Sequence, residues 1–196
     1  MEKSCPENRA RFLGFALRDF ARNDKLSPNL YHPKHLKSNI YFTMDFTLKN
    51  NAVIIDSEKK EISLSPEAVI LDTLLIEFPG EYEKSSILMY SFARNDEQLY
   101  HFRTEGYWIA YIPTLLSDIS PEGLDFLGSI DILVMPGAKS MQPVVEKVEP
   151  RLLVTYGDTA QEIGHVLGLA DTTPLAKYRL KETDLSSEKT GCVILG

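Results

Sequence analysis

The spacing of apolar residues changes near residue 120, and that change constrains the fold more than any other feature of the chain. Upstream, apolar and polar residues alternate in short runs separated by turn chemistry. In "NIYFTMDFTL" (39–48), Ile40, Phe42, Met44 and Phe46 share one side, the period of two of a half-buried strand. "KNN" (49–51) supplies a turn and "AVIID" (52–56) a second strand, so the two form a hairpin. "EISL" (61–64), one or two strands in "EAVILDTLLIEF" (67–78), "SILMYSF" (86–92), "QLYHFRT" (98–104) and "GYWIAYI" (106–112) extend a meander of antiparallel hairpins. Downstream, strands and helices take turns. Ser120, Pro121 and Glu122 are an N-cap, a first-turn proline and a first-turn acid, which start a short helix in "PEGLDFLGS". "IDILVMP" (130–136) is a strand stopped by Pro136, "SMQPVVEKV" (140–148) a helix with Pro143 in its first turn, and "RLLVTY" (151–156) a strand. "TAQEIGHVLG" opens with Thr159 and Glu162 at capping-box spacing and closes at Gly168. "AKYRLK" (176–181) and "GCVIL" (191–195) are the last strands. The expected fold is α/β: a β-rich half and an α/β half packed as two sheets face to face, with helices outside.

Charge divides the chain. Residues 1–38 hold eight basic and four acidic residues, a balance of +4, and the remainder holds thirteen basic and twenty-four acidic, a balance of −11. The shift marks residues 1–38 as an appendage to an acidic domain over 39–196. In "RARFLGFALRDFARNDK", Phe12, Phe15, Ala16 and Phe20 fall near helical spacing with arginines between them. Such a basic amphipathic helix suits docking on its own domain, a partner, or a membrane surface. "KLSPNLYHPKH" reads as a linker, interrupted by Pro28 and Pro33. The pentapeptide "FARND" occurs at 20–24 and at 92–96 with unrelated flanks, and is too short to signal a repeat.

Several classes of function are disfavoured. A net charge of −7 argues against a general nucleic-acid binder, which needs a basic face for phosphates. Cys5 and Cys192 make neither a disulfide framework nor a metal knuckle, and suit free thiols in a reducing cytoplasm. No apolar run approaches the ~20 residues of a membrane span, and the start lacks a secretory signal pattern. There is no Gly-x-Ser-x-Gly elbow, P-loop or dinucleotide fingerprint. "MPGAKS" (135–140) lacks the upstream glycine of a phosphate loop and reads as a loop between strand and helix.

Five segments carry a family resemblance. "FTLKNNAVIIDS" (46–57) resembles an early hairpin, "FPGEYE" (78–83) a Pro-Gly-Glu-Tyr-Glu turn, and "LGSIDILVMPGAKS" (127–140), "VVEKVEPRLLVTYGD" (144–158) and "AKYRLKETDLSSEKTGCVIL" (176–195) the later segments of a bacterial branch of metallo-β-lactamase-fold proteins described as zinc-dependent hydrolases. The resemblance spans roughly residues 40–195. It implies a metallo-β-lactamase-like αββα sandwich of two packed mixed sheets with outer helices. In active members it implies two zinc ions, held by a His-x-His-x-Asp-His loop, a later His or Asp, and a His ending a late strand. Neutral imidazoles hold such a metal, and the metal lowers the pKa of its bound water toward ~7.

This chain departs from the pattern at each ligand position. No histidine lies between "VIIDS" and "FPGEYE", a segment that looks shortened. "YIPTLLSD" (111–118) puts Thr114 at the place of the bridging aspartate, and Asp118 replaces it only if the loop is rearranged. "TYGD" puts Gly157 at the place of the late histidine. The four histidines offer no convergent set: His32 and His35 flank Pro33 in the linker, His101 is mid-strand, and His165 is near a helix C-terminus. Glu81 and Glu83 are a possible acid/base pair, since alternate strand residues share a face, with a structural turn as the plainer role. Asp158 suits an acceptor at the helix start better than a ligand. The expectation is a non-catalytic member of the fold, a binding or assembly module with an unknown protein partner or self-association and no cofactor. The alternative is a metal-dependent hydrolase with a displaced zinc site using some of Asp118, Asp158, His101 and His165.

Overall fold

The structure is a computed structural model that describes residues 43–57, 60–169, 173–185 and 189–196. The basic segment 1–38, with His32 and His35, lies outside the described residues, as do Ile40 and Phe42 of the first expected strand.

Strands β1 (Met44–Lys49) and β2 (Ala52–Ser57) form the expected hairpin. Lys49 pairs with Ala52, leaving a two-residue loop. Asn50 and Asn51 both take positive φ, 50° and 63°, as the type I′ turn requires and as asparagine tolerates. The meander continues through β3 (Lys60–Leu64), β4 (Val69–Leu71) and β5 (Leu74–Ile76), so the apolar stretch 67–78 holds two strands. Late in the chain, β12 (Lys177–Arg179) returns to pair antiparallel with β1 and completes a six-stranded sheet in the order β12-β1-β2-β3-β4-β5.

The second sheet has seven strands and mixed direction. Strands β6 (Gly80–Lys84), β7 (Ile87–Arg94), β8 (Glu97–Thr104) and β9 (Tyr107–Tyr111) are antiparallel neighbours. Strands β10 (Ile132–Pro136), β11 (Leu152–Tyr156) and β13 (Gly191–Leu195) add in parallel, giving the order β13-β11-β10-β9-β8-β7-β6. The segment resembling a Pro-Gly-Glu-Tyr-Glu turn is a turn only at its start. From Gly80 onward it is strand β6, paired along its length with β7.

Side-chain alternation sorts the parallel strands into two cores. Ile109 and Tyr111, Ile132 and Val134, and Leu152, Val154 and Tyr156 face the six-stranded sheet, where they meet Phe46, Val53, Ile55, Ile62 and Leu64. Their neighbours Ala110, Leu133, Met135 and Leu153 face outward, under α1 (Pro121–Leu127), α2 (Gln142–Val148) and α3 (Ala160–Val166), which contribute Leu127, Val144, Val145, Val148 and Ile163. Each fully buried aliphatic side chain of this kind contributes roughly 1.5–3 kcal/mol by leaving water. Two packed sheets with outer helices are the expected sandwich. The three described helices lie against the seven-stranded sheet.

The helix starts follow their sequence signals unevenly. Ser120 caps α1, its Oγ accepting from the Gly123 N–H at 2.9 Å, and it donates to the Glu97 carboxylate at 2.5 Å. Pro143 falls in the first turn of α2. The capping box expected from Thr159 and Glu162 is not made. The Thr159 hydroxyl turns away and donates to the Gly137 carbonyl at 2.6 Å. The reason is tertiary: the loop after β10 packs directly on the start of α3. A Cβ at Gly137 would collide with the Ala160 backbone and the Thr155 hydroxyl.

Candidate functional site

The parallel strands β9, β10 and β11 all end at one edge of the sandwich, and in open α/β sheets ligands gather outside such carboxyl ends. The loops that follow carry Thr114, Gly137 and Gly157. Thr114 is exposed. Gly157 is exposed with φ at +100°, and a Cβ built there would meet nothing within 4 Å. Glycine is therefore favoured by the backbone at this position, while space for a side chain exists. Asp158 is exposed and makes no hydrogen bond or ion pair among the described residues. Its expected role as an acceptor at the start of α3 is not realised; the Ala160 N–H bonds to the Gly157 carbonyl at 3.1 Å.

The remaining candidates are scattered. Asp118 lies in the loop before α1, where its Oδ1 accepts from Ile119 N–H at 2.8 Å and from Lys147 Nζ at 2.6 Å. The Lys147 ammonium, then the Ile119 amide, lower its pKa. Those bonds commit it to joining the loop to α2. His165 is exposed in the last turn of α3. His101 is half-buried on β8, on the face turned away from the six-stranded sheet, paired with Tyr90 and Ala110. Its ring lies 5.3 Å from Tyr90, 4.6 Å from Trp108 and 5.6 Å from Phe126, and Nδ1 is 3.2 Å from the Phe126 carbonyl. Desolvation lowers its pKa, against the opposing pull of that carbonyl. From β8 to β13, beside which α3 packs, is four strand spacings, roughly 19 Å. Glu81 and Glu83 stand exposed on β6, at the far end of the sheet from β13. Among the described residues no three His, Cys, Asp or Glu side chains lie close enough to share a metal ion.

What sits beneath the loop edge was missed from the sequence. Tyr111 ends β9 and Tyr156 ends β11, and their hydroxyls meet at 3.1 Å between the sheets. Tyr100 stacks on Tyr111 with centroids 6.0 Å apart, and its hydroxyl accepts from Gln98 Nε2 at 2.5 Å. Burial raises the pKa of all three phenols, so they stand as neutral hydroxyls. The signal in the sequence is an aromatic residue ending each of "YWIAY" and "LLVTY", shortly before Thr114 and Gly157. Lys139 of "MPGAKS" lies in a short 3-10 turn, Lys139–Met141, and the loop's close packing on α3 leaves no phosphate cradle at Gly137.

Among the described residues no helix is long and apolar enough to cross a membrane. No protein-family model matches the chain, and no curated protein does. A solved structure does: a protein of Thermotoga maritima, described as a proposed zinc-dependent hydrolase of the metallo-β-lactamase superfamily, superposes with a TM-score of 0.61. It covers 78% of this chain and 100% of its own, at 16% sequence identity. At that identity the likeness establishes the architecture: this chain has a metallo-β-lactamase-like fold.

Proposed function

We propose that this protein is a non-catalytic member of the metallo-β-lactamase fold, retained as a binding or assembly module. The observation that carries the reading is the composition of the loop edge. Zinc in this fold needs imidazole, thiolate or carboxylate donors converging on one point. The corresponding positions here are Thr114, a neutral hydroxyl, and Gly157, which has no side chain. The residues present do not fit the metal. The other candidate donors are engaged or remote: Asp118 pairs with Lys147, His101 is held among aromatic rings, and His165 stands on the outside of α3. Below the edge, the Tyr111–Tyr156 pair fills the space between the sheets with side chains that satisfy each other. The alternative, a hydrolase using some of Asp118, Asp158, His101 and His165, is disfavoured because among the described residues these do not gather into a group of three.

Metal analysis of untagged protein purified without chelator tests this. The expected outcome is a content of zinc, iron and manganese far below one equivalent, unchanged by Asp158→Ala or His165→Ala. Near-stoichiometric metal that disappears in either variant would overturn it.

A further inference from the structure

The seven-stranded sheet has an open edge among the described residues. Strand β6 is the last in the order, and among the described residues it has no neighbour beyond β7. Its hairpin with β7 turns through two residues, Ser85 and Ser86, both at positive φ (54° and 64°), between the paired residues Lys84 and Ile87. In such a turn the first and last residues are the hydrogen-bonded pair. Pairs then alternate along an antiparallel ladder. Lys84, Tyr82 and Gly80 therefore direct their backbone groups toward β7, and Glu81 and Glu83 direct theirs outward. The two residues with open N–H and C=O groups are also the two that put carboxylates on one face, and neither makes an ion pair among the described residues. The cation two strands away on the same face, Arg103, lies over the Trp108 ring, 5.7 Å from its centroid. On the opposite face Tyr82 packs on the core, and its hydroxyl holds the Phe78 backbone at 2.7 Å, with the Phe78 side chain 70% exposed beside it.

We propose that β6 binds an extended partner segment by strand addition, and that the segment alternates basic with apolar residues. Its basic side chains face Glu81 and Glu83, and its apolar side chains lie on the Phe78–Tyr82 side. Main-chain bonds of this kind give affinity, and the alternate side chains give selectivity. The proposal rests on the binding-module reading but does not share its test, since metal content and strand addition are measured separately.

The full chain is titrated with an eight-residue peptide of alternating lysine and valine, followed by amide NMR shifts. Shifts centred on Gly80–Lys84 are expected, and they weaken with added salt. Replacing Glu81 and Glu83 by glutamine weakens binding by about two- to fivefold per carboxylate. Glu83→Pro removes an outward N–H without touching the β6–β7 ladder, a position where edge strands accept proline. It weakens binding by about tenfold with an unchanged thermal midpoint. If that variant folds poorly, Glu81→Lys with Glu83→Lys and a peptide of alternating glutamate and valine replaces it, and binding to the swapped peptide is expected. Equal binding of a peptide of the same composition with the alternation scrambled overturns the proposal. So does undiminished binding by a folded Glu83→Pro variant, which would reduce the contact to charge alone.

Discussion

In the antiparallel half of the seven-stranded sheet, β6 to β9 are joined by two-residue turns, and their outer face is partly open, carrying Glu81, Tyr90, His101, Arg103 and Trp108. In the parallel half, β10 and β11 are buried on both faces, and each strand is tied to the next by a loop and helix packed against it. The two halves distribute polar chemistry in opposite ways. A parallel sheet has its backbone and both faces enclosed, so polar groups with freedom to act collect on the loops at its carboxyl edge. Here those loops carry Thr114 and Gly157 over a pair of mutually satisfied tyrosines. The antiparallel half has no such loops, yet among the described residues β6 keeps an open backbone edge and carboxylates without an ion pair. The difference teaches that one sheet can keep its polar side chains in two separate places, on the loops where parallel strands end and on the open face of antiparallel strands.

Two glycines at the loop edge offer the largest contrast. Gly137→Ala drives a methyl group into the Ala160 backbone, contacts that cannot yield without moving α3. Overpacking of this kind is expected to cost about 3 kcal/mol, read as a lowered midpoint in thermal or denaturant unfolding. Gly157→Ala meets no atom and loses only the backbone preference at φ +100°, on the order of 1 kcal/mol. If the two variants lose equal stability, the loop after β10 is not packed as described. The tyrosine pair gives the next effect. Tyr111→Phe leaves the buried Tyr156 hydroxyl without its partner, at a cost of about 1–2 kcal/mol, and Tyr156→Phe does the reverse. The double variant should cost less than the two together, and strict additivity in that cycle would show that the hydroxyls are not coupled.

The smallest effect lies in the six-stranded sheet and depends on pH. Asp45 on β1 is gripped by Arg179 at 2.7 and 2.9 Å and by Lys177 at 2.8 Å. The Arg179 bond dominates and, with Lys177, outweighs burial, lowering the carboxyl pKa to about 2 from an ordinary 3.8. A folded-state pKa below the unfolded value means stability present above about pH 4 and lost as pH falls through about 2. Both cations are largely exposed, so the contribution is on the order of 1 kcal/mol after screening. Asp45→Asn should flatten the acid limb of the stability curve between those values. An unchanged slope in acid titration of unfolding would place the acid sensitivity elsewhere.

Local features were legible from the sequence, and features assembled across the chain were not. The Asn50–Asn51 turn, the Ser120 cap and the Pro143 helix start are each written within a few residues, and each is found. In the sequence β6 reads as a turn, because Pro79 and Gly80 dominate its start and Tyr82 alone marks its inward face. Thr159 looked like a cap because its true partner, the Gly137 carbonyl, is twenty-two positions away. At the loop edge, the identities of Thr114 and Gly157 were legible through the family resemblance. The open space at Gly157 and the tyrosine pair beneath were not, since both depend on how three separate strands end side by side.

The pairing of β12 with β1 has a consequence for how the chain reaches this state. Arg179 grips Asp45 from 134 positions away, so the first strand waits for almost the last before its second border is closed. Among the described residues, β1 has only β2 as a neighbour during synthesis, and Asp45 meets neither of its cations until residues 177–179 have left the ribosome. A contact of such sequence separation must overcome most of the loop-closure entropy before it contributes anything, which makes it a late and slow event. The six-stranded sheet is therefore begun by local hairpins and closed at β1 only late, by a strand from the far end of the chain.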